Sequence, residues 1–286
     1  MASFKTDFVP TYHHDTYPAI SETNPELSCK GKVVFITGGG RGIGQEIAKS
    51  FARAGAKGIF LIGRTVTGLL SAVEEVENVS TGKQVSVHHA KADITDTEAV
   101  AAAFKQCIEA FGHVDILVQN AGYLDDHRSL LNSDLNDYWK TFEINVKGGL
   151  IVVQQFLKHS QPGDTIINIG SGAGHLPCIP GYSAYSSSKL AFAKVIEFVQ
   201  LEHSELRVFN INPGAIATDM QKKSGDIATV DSIRLPGSYC VWLAASQDAD
   251  SLKGRFLWTN WDVNEVIQRA GEIKEHNLLT HALAGL

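Results

Sequence analysis

Cysteine is scarce in this chain: Cys29, Cys107, Cys178 and Cys240 are the 4 in 286 residues. They are widely scattered and form no C-x-x-C pair, so neither a disulfide framework nor a metal site is expected. Long apolar runs are missing too, and none approaches the roughly 20 residues that cross a bilayer. Basic charge is in deficit, with 25 Lys and Arg against 31 Asp and Glu, a net charge of −6 and a pI near 6.0. That balance argues against nucleic acid or an anionic membrane as the partner. The opening stretch Met1–Asp7 has no apolar core of the signal-peptide kind. Together with unpaired cysteines it points to a reducing, cytoplasmic setting.

What is present is a globular composition, 44% hydrophobic and 20% charged, in a chain long enough for one large domain with a sizeable core. Residues 1–30 hold Pro10, Pro18, Pro25 and the pair His13-His14, with no period of 2 or 3.6. They read as an N-terminal arm laid across the domain or a partner subunit, and 31–286 as a single domain. The two histidines lack a third ligand at helical spacing and read as solvated. From Lys32 onward strands and helices alternate. Strand patterns fall at Lys32–Thr37, Gly58–Gly63, Gln84–Ala90, Val114–Gln119, Asp164–Gly170, Leu206–Asn212 and Gly254–Asn260. Helical patterns fall at Gln45–Ala52, Leu69–Ser80, Thr97–Phe111, Tyr138–His159, Tyr185–Leu201 and Leu235–Ser246, with a polar flap over Asp219–Ser232. The alternation predicts an α/β fold, a parallel doubly wound sheet of about seven strands with helices on both faces.

The chemistry starts at Gly38-Gly39-Gly40-Arg41-Gly42-Ile43-Gly44, set between a strand and a helix. Glycines at 38, 42 and 44 let backbone approach a pyrophosphate, and the helix N-terminus offers it free N–H groups. The second strand ends at Gly63-Arg64, where an acid would select NAD through the ribose 2′-hydroxyl. Arg64 and Arg41 instead suit the 2′-phosphate of NADP. Asp93, at the end of the third strand, is placed to meet the adenine edge, to cap the next helix, or to do both. Asn120-Ala121-Gly122 turns out of the fourth strand. Asn145, among apolar neighbours, must bond backbone or hold a water leading toward Lys189. Ser171 closes the run Asp164–Gly170. Tyr185 and Lys189 share one helix face at i and i+4. An ammonium beside a phenol favours the phenolate and draws its pKa down from about 10, toward useful proton transfer. Beyond Lys189 the helix carries more apolar surface than one face needs, which suggests packing on another subunit.

Taken in order, these motifs resemble the short-chain dehydrogenase/reductase family, NADP-preferring type, over roughly Lys32 to Asn260. The resemblance rests on Thr37-Gly38 with Gly42-Ile43-Gly44, on Asn120-Ala121-Gly122, on Asn145, Ser171, Tyr185 and Lys189, and on Pro213-Gly214 with Thr218. It implies a Rossmann-like fold and a tetrad in which Tyr185 gives the proton and Lys189 lowers its pKa and bonds the nicotinamide ribose. Ser171 would bond the substrate oxygen and Asn145 would position a relay water. Gly38, Arg41, Gly42, Ile43, Gly44, Arg64, Thr65, Asp93 and Ile94 would hold NADP(H), with Asn120, Ala121, Gly122, Pro213, Gly214, Ile216 and Thr218 completing the site beside Tyr185 and Lys189. Tyr123, His175, Leu176, Cys178 and Tyr182 would line a pocket for a medium-sized, uncharged ketone or alcohol. The implied activity is NADPH-dependent carbonyl reduction or its reverse, in a homodimer or homotetramer. The alternatives are dehydration, epimerisation or cyclisation on the same tetrad, and a non-catalytic NADP-binding regulator. Gln119 replaces an Asn before N-A-G, the Ser171–Tyr185 loop is about a residue long, and Trp258-Thr259-Asn260-Trp261 replaces V-D-G-G. The general look is similar to fungal members that act on secondary metabolites.

Overall fold

A computed structural model describes residues 8–80, 85–223 and 228–283. The seven expected strand patterns form seven strands: β1 Val33–Thr37, β2 Gly58–Gly63, β3 Ser86–Lys91, β4 Ile116–Gln119, β5 Thr165–Ile169, β6 Arg207–Asn212 and β7 Phe256–Trp258. Gln84, at the head of the predicted third strand, lies outside the described residues. All neighbours pair in parallel, in the order β3-β2-β1-β4-β5-β6-β7.

The helices between them are α1 Gly42–Arg53, α2 Val66–Val79, α3 Thr97–Phe111, α4 Leu135–Phe142, α5 Gly149–Leu157, α6 Ser183–Glu202, α7 Asp219–Lys222 and α8 Arg234–Ala245. The short α9 Val263–Gln268 and α10 Ala270–Glu275 follow β7. Side chains alternate along the strands, so the central strands feed two cores. Val34, Ile36, Ile59 and Leu61 pack with Phe51 of α1, Leu69 of α2 and Tyr239 of α8. Val33, Phe35, Phe60 and Leu117 pack on the other face with Phe104 of α3, Phe156 of α5 and Phe192 of α6. Both faces of the sheet are therefore covered, as the unbroken apolar runs require. Strand order reverses between β1 and β4, which opens a crevice above their C-terminal ends. Among the described residues no helix is long and apolar enough to cross a membrane.

Three sequence expectations are corrected. The single helix predicted over Tyr138–His159 begins at Leu135 and is interrupted by a π-helical turn, Glu143–Gly148, between α4 and α5. A π turn adds about one residue to the helix and rotates the face that follows, a phase shift that the long apolar run after Lys147 does not reveal because α5 is apolar on most of its surface. Asp96, rather than Asp93, caps α3, accepting from the N–H groups of Glu98 and Ala99 at 3.0 Å each. Asp93 instead closes a local turn with Thr95. The last strand is confined to Phe256–Trp258, because Asn260 turns away to bond the arm.

The arm lies over its own domain. Two short 3-10 turns, Pro18–Ile20 and Pro25–Leu27, bury Ile20 and Leu27. Glu22 accepts from Arg53, Arg234 and Ser238, tying the arm to α1 and α8. Tyr12 bridges to Trp261. The two histidines read as solvated are paired with carboxylates: His13 Nε2 lies 3.0 Å from Asp262 and His14 Nδ1 2.5 Å from Asp231.

Candidate active site

The crevice begins where β1 hands over to α1. Arg41 makes no side-chain cap to α1, so the N–H groups of its first turn stay free for a ligand. Gly42 has φ +57°, and the nearest atom to a Cβ placed there is Thr218 Cγ2 at 3.9 Å, so the backbone faces open space. Gly44 serves packing. A Cβ there would lie 2.5 Å from both Asn120 Nδ2 and the Gly38 carbonyl oxygen. Asn120 Nδ2 donates to the carbonyls of Thr37 and Gly38 at 2.9 and 3.3 Å, clamping the glycine loop to the end of β4. Thr37 Oγ1 accepts from the N–H groups of Asn120 and Ala121 and donates to Gln119 Oε1 at 3.1 Å. Gln119 is thereby part of the clamp.

The resulting cleft holds about 450 Å³. Gly38, Arg41, Gly42 and Ile43 line one end of it, followed by Arg64 and Thr65 after β2, then Asp93 and Ile94 after β3. Asn120, Ala121 and Gly122 line the middle, and Tyr185, Lys189, Pro213 and Thr218 the far end. Gly44, Gly214 and Ile216 are not in this lining; Ile216 is buried and bridges Asp231. Thr65 precedes α2 without a side-chain cap, so its hydroxyl is free of that role. Arg41 pairs with Asp219 at 3.0 Å, an exposed contact of little weight. These donors, over an open glycine backbone, fit a dinucleotide. Ile144 and Met220 also line the cleft. Sequence reasoning missed them because Ile144 looks like an ordinary core position and Met220 sits in a stretch without period.

At the chemical end, α6 brings Tyr185 and Lys189 one turn apart, with the lysine Nζ 5.7 Å from the tyrosine ring centre. Lys189 Nζ donates to the Ile169 carbonyl at 3.0 Å, tying α6 to the end of β5. Burial pushes the Tyr185 phenol up to about 12; a hydrogen bond with Ser171 works against this, and Tyr182 adds to it. Burial draws Lys189 down to about 8. This corrects the expectation that the lysine lowers the phenol, because the ammonium is directed at a carbonyl and desolvation outweighs it. At neutral pH Tyr185 keeps its proton.

Asn145 occupies the π turn, 3% exposed. Its Oδ1 accepts from Tyr123 N–H at 2.7 Å, and its Nδ2 donates to Tyr123 O at 2.8 Å and Ser188 Oγ at 3.0 Å. Its side chain is thus bonded to backbone, one of the two roles that its burial allowed. Gly122 lets Asn145 and Lys189 converge, since a Cβ there would lie 3.4 Å from each. Ser171 Oγ accepts from Ala173 N–H at 3.2 Å.

The proposed pocket residues separate. Tyr182 is buried, its ring 4.1 Å from His127 and 6.5 Å from Tyr185. Tyr123 turns its hydroxyl to Asp137 at 2.6 Å, under Lys140 and Lys223. His175 accepts from the Trp258 indole at 3.1 Å and packs on Phe256. Leu176 packs against the core and Cys178 is exposed. Two groups without a sequence signal stand nearby: Asp125 Oδ1 and His127 Nε2 are buried with no hydrogen-bond partner.

Comparison with known proteins agrees with this geometry. Residues 32–228 match the family model described as short chain dehydrogenase. The short chain dehydrogenase andI of Emericella variicolor is 33% identical over 287 residues, covering 98% of this chain and 97% of that protein. A short chain dehydrogenase of Burkholderia cenocepacia J2315, solved in complex with NADP, superposes with a TM-score of 0.72 at 27% identity, covering 80% of this chain and 96% of that one. A 3-ketoacyl-(acyl-carrier-protein) reductase of Brucella melitensis, solved with NADH, gives 0.72 at 25%, covering 81% and 97%. With a family match across more than half its length, and a tyrosine–lysine pair at one end of a dinucleotide crevice, the chain belongs to the short-chain dehydrogenase/reductase family of nicotinamide-dependent oxidoreductases.

Proposed function

We propose that the protein is a cytoplasmic, NADPH-dependent carbonyl reductase, or in reverse an alcohol dehydrogenase, acting on a medium-sized uncharged substrate of polyketide-like character in secondary metabolism. The observation that carries this reading is the meeting of Tyr185, Ser171 and Lys189 at the end of a cleft that begins at the glycine loop. Arg41, Arg64 and the free Thr65 hydroxyl favour a cofactor bearing a 2′-phosphate. When bound, the nicotinamide supplies hydride to the carbonyl carbon. Tyr185, whose raised pKa keeps it protonated, gives its proton to the carbonyl oxygen, and Ser171 donates a hydrogen bond to the same oxygen. Lys189 holds the ribose and places positive charge beside the phenol as it loses its proton. Asn145 fixes the backbone at Tyr123 and so the turn beside the nicotinamide. Tyr182 with the unsatisfied Asp125 Oδ1 and His127 Nε2 suits a substrate that carries both a ring and hydroxyl groups. The exposed apolar side of α6, with Leu190, Phe198 and Leu201, supports self-association as a homodimer or homotetramer.

A fluorescence titration with NADPH and NADH, followed by a ketone panel read at the nicotinamide absorbance, tests this reading. NADPH is expected to bind more tightly and to be oxidised by some ketone. Tyr185→Phe is expected to bind NADPH like wild type and to lose roughly a thousandfold in kcat. Tight binding without oxidation across the panel would move the reading to non-redox chemistry on the same tetrad. Preference for NADH would overturn the assignment of Arg41 and Arg64.

A further inference from the structure

The turn after β6 is held from outside the catalytic frame. Pro213 and Thr218 line the cleft, and Gly214, Ala215 and Ile216 connect them. Among the described residues, the hydrogen bonds of that connection run to Asp231 and to its neighbour Val230. Ala215 N–H donates to Asp231 Oδ2 at 2.6 Å, and the Ala215 carbonyl accepts from the N–H groups of Val230 and Asp231 at 3.0 and 3.2 Å. Ile216 bridges Asp231. Gly214 takes φ +98°, and a Cβ there would sit 2.6 Å from Asp231 Oδ2, so any side chain would displace the carboxylate.

The second carboxylate oxygen faces the N-terminal arm. Asp231 Oδ1 accepts from Asn260 Nδ2 at 3.0 Å and lies 2.5 Å from His14 Nδ1. A carboxylate only accepts, so the imidazole donates from Nδ1. Three donors therefore converge on one side chain that is 3% exposed. The arm completes the ring through backbone: His14 O accepts from Ser232 N–H at 2.7 Å, and His13 N–H donates to Asn260 O at 2.7 Å. Asn260 Nδ2 also donates to His13 O at 2.9 Å. Only a group with acceptors on both oxygens satisfies this arrangement. An asparagine would turn an N–H toward at least one of the donors.

We propose that Asp231 is the positioning residue for the Pro213–Thr218 turn, and that the N-terminal arm, through His14, sets how firmly that turn holds the dinucleotide. The proposal rests on the reading of the crevice as a nicotinamide cofactor site. It gives the arm a role in cofactor binding separate from its packing. Ile20, Leu27 and the Glu22 ion pairs anchor the arm elsewhere, so changing His14 leaves the arm docked.

The test is a dinucleotide fluorescence titration, with steady-state kinetics and thermal unfolding, on wild type, Asp231→Asn, His14→Ala and His14→Asn. Asp231→Asn is expected to raise the NADPH Kd about tenfold, the scale of one lost hydrogen bond to a charged group. His14→Ala is expected to raise it about threefold, because His14 is half-exposed and water replaces part of the contact. Asparagine at 14 carries an N–H donor near the position of Nδ1 and restores binding. For the His14 variants kcat at saturating cofactor and the unfolding midpoint stay at their wild-type values. Unchanged Kd in Asp231→Asn and His14→Ala overturns the proposal, as does a loss that follows the unfolding midpoint and is not restored by asparagine. The wild-type preference for NADPH over NADH reads the proposed function, whereas the ratio of variant to wild-type Kd, for whichever dinucleotide binds, reads the role of Asp231.

Discussion

Lys189 is the residue whose protonation departs most consequentially from its ordinary chemistry. Burial sets its folded-state pKa near 8, against 10.5 unperturbed. Between those values the unfolded chain binds more protons than the folded one, so this residue's contribution to stability rises with pH. Tyr185, raised from 10.0 to about 12, works the other way, but only above pH 10. The window from pH 8 to 10 therefore separates the lysine from Tyr185, while the buried Cys107 and Cys240 thiols, raised from 9.0, lower stability there in wild type and variant alike. Lys189→Met keeps length and removes the charge. Denaturant-unfolding free energies measured at pH 8 and pH 10 should rise more in wild type than in this variant, and parallel trends would show that the ammonium is not desolvated. Helical spacing and motif order made Tyr185, Lys189 and Ser171 legible in the sequence. The direction of the phenol's shift was not legible, since burial and the Ile169 carbonyl that draws off the ammonium are products of tertiary packing. Asp125 and His127 were invisible for a related reason: isolated polar residues in an irregular loop have no period to betray them.

The glycine loop shows how an element's shape depends on single atoms. Gly44→Ala would force its methyl into the Gly38 carbonyl and the Asn120 amide. It is expected to cost about 1–3 kcal/mol of stability by denaturant unfolding and to weaken dinucleotide binding. Gly271→Ala is the control. Gly271 lies in α10 with nothing within 4 Å of its Cβ, and alanine there is expected to be neutral or slightly stabilising. If Gly44→Ala were as stable as Gly271→Ala, the Asn120 clamp would not be the packing constraint described above. Element existence was readable from turn residues and from the apolar runs of the central strands, which are covered on both faces, and for the edge strand β3 from the alternation at Val85 and Val87. The break between α4 and α5 was not readable. Its cause lies across space, where Asn145 bonds Tyr123 and Ser188. The early end of β7 was hidden likewise, since its last residues are claimed by the arm.

At the scale of the molecule, α6 presents Phe198 and Leu201 to solvent, 52% and 75% exposed, on a helix whose opposite side is buried in the core. If this face joins copies of the chain, Phe198→Glu with Leu201→Glu should lower the sedimentation mass toward the 31.0 kDa of one chain while leaving dinucleotide affinity intact. A wild-type mass of one chain would remove the premise. The parallel, doubly wound architecture was legible from the alternation of elements alone. The course of the arm was not, because its partners are histidine–carboxylate pairs and backbone groups with no shared pattern.

The arm's contacts also carry a kinetic meaning. Thr11 bonds Glu265 across 254 positions, and His14 meets Asp231 across 217. A ribosome adding about 5–20 residues per second leaves residues 11–17 waiting roughly 10–50 s for those partners to exist. A segment made before the whole α/β frame can be seated only once the frame is complete, and closing so long a loop is slow. Its docking is a record that synthesis has run through β7 and α9. A nascent chain halted before Asp231 lacks α8 and β7 as well as the carboxylate that holds the Pro213–Thr218 turn.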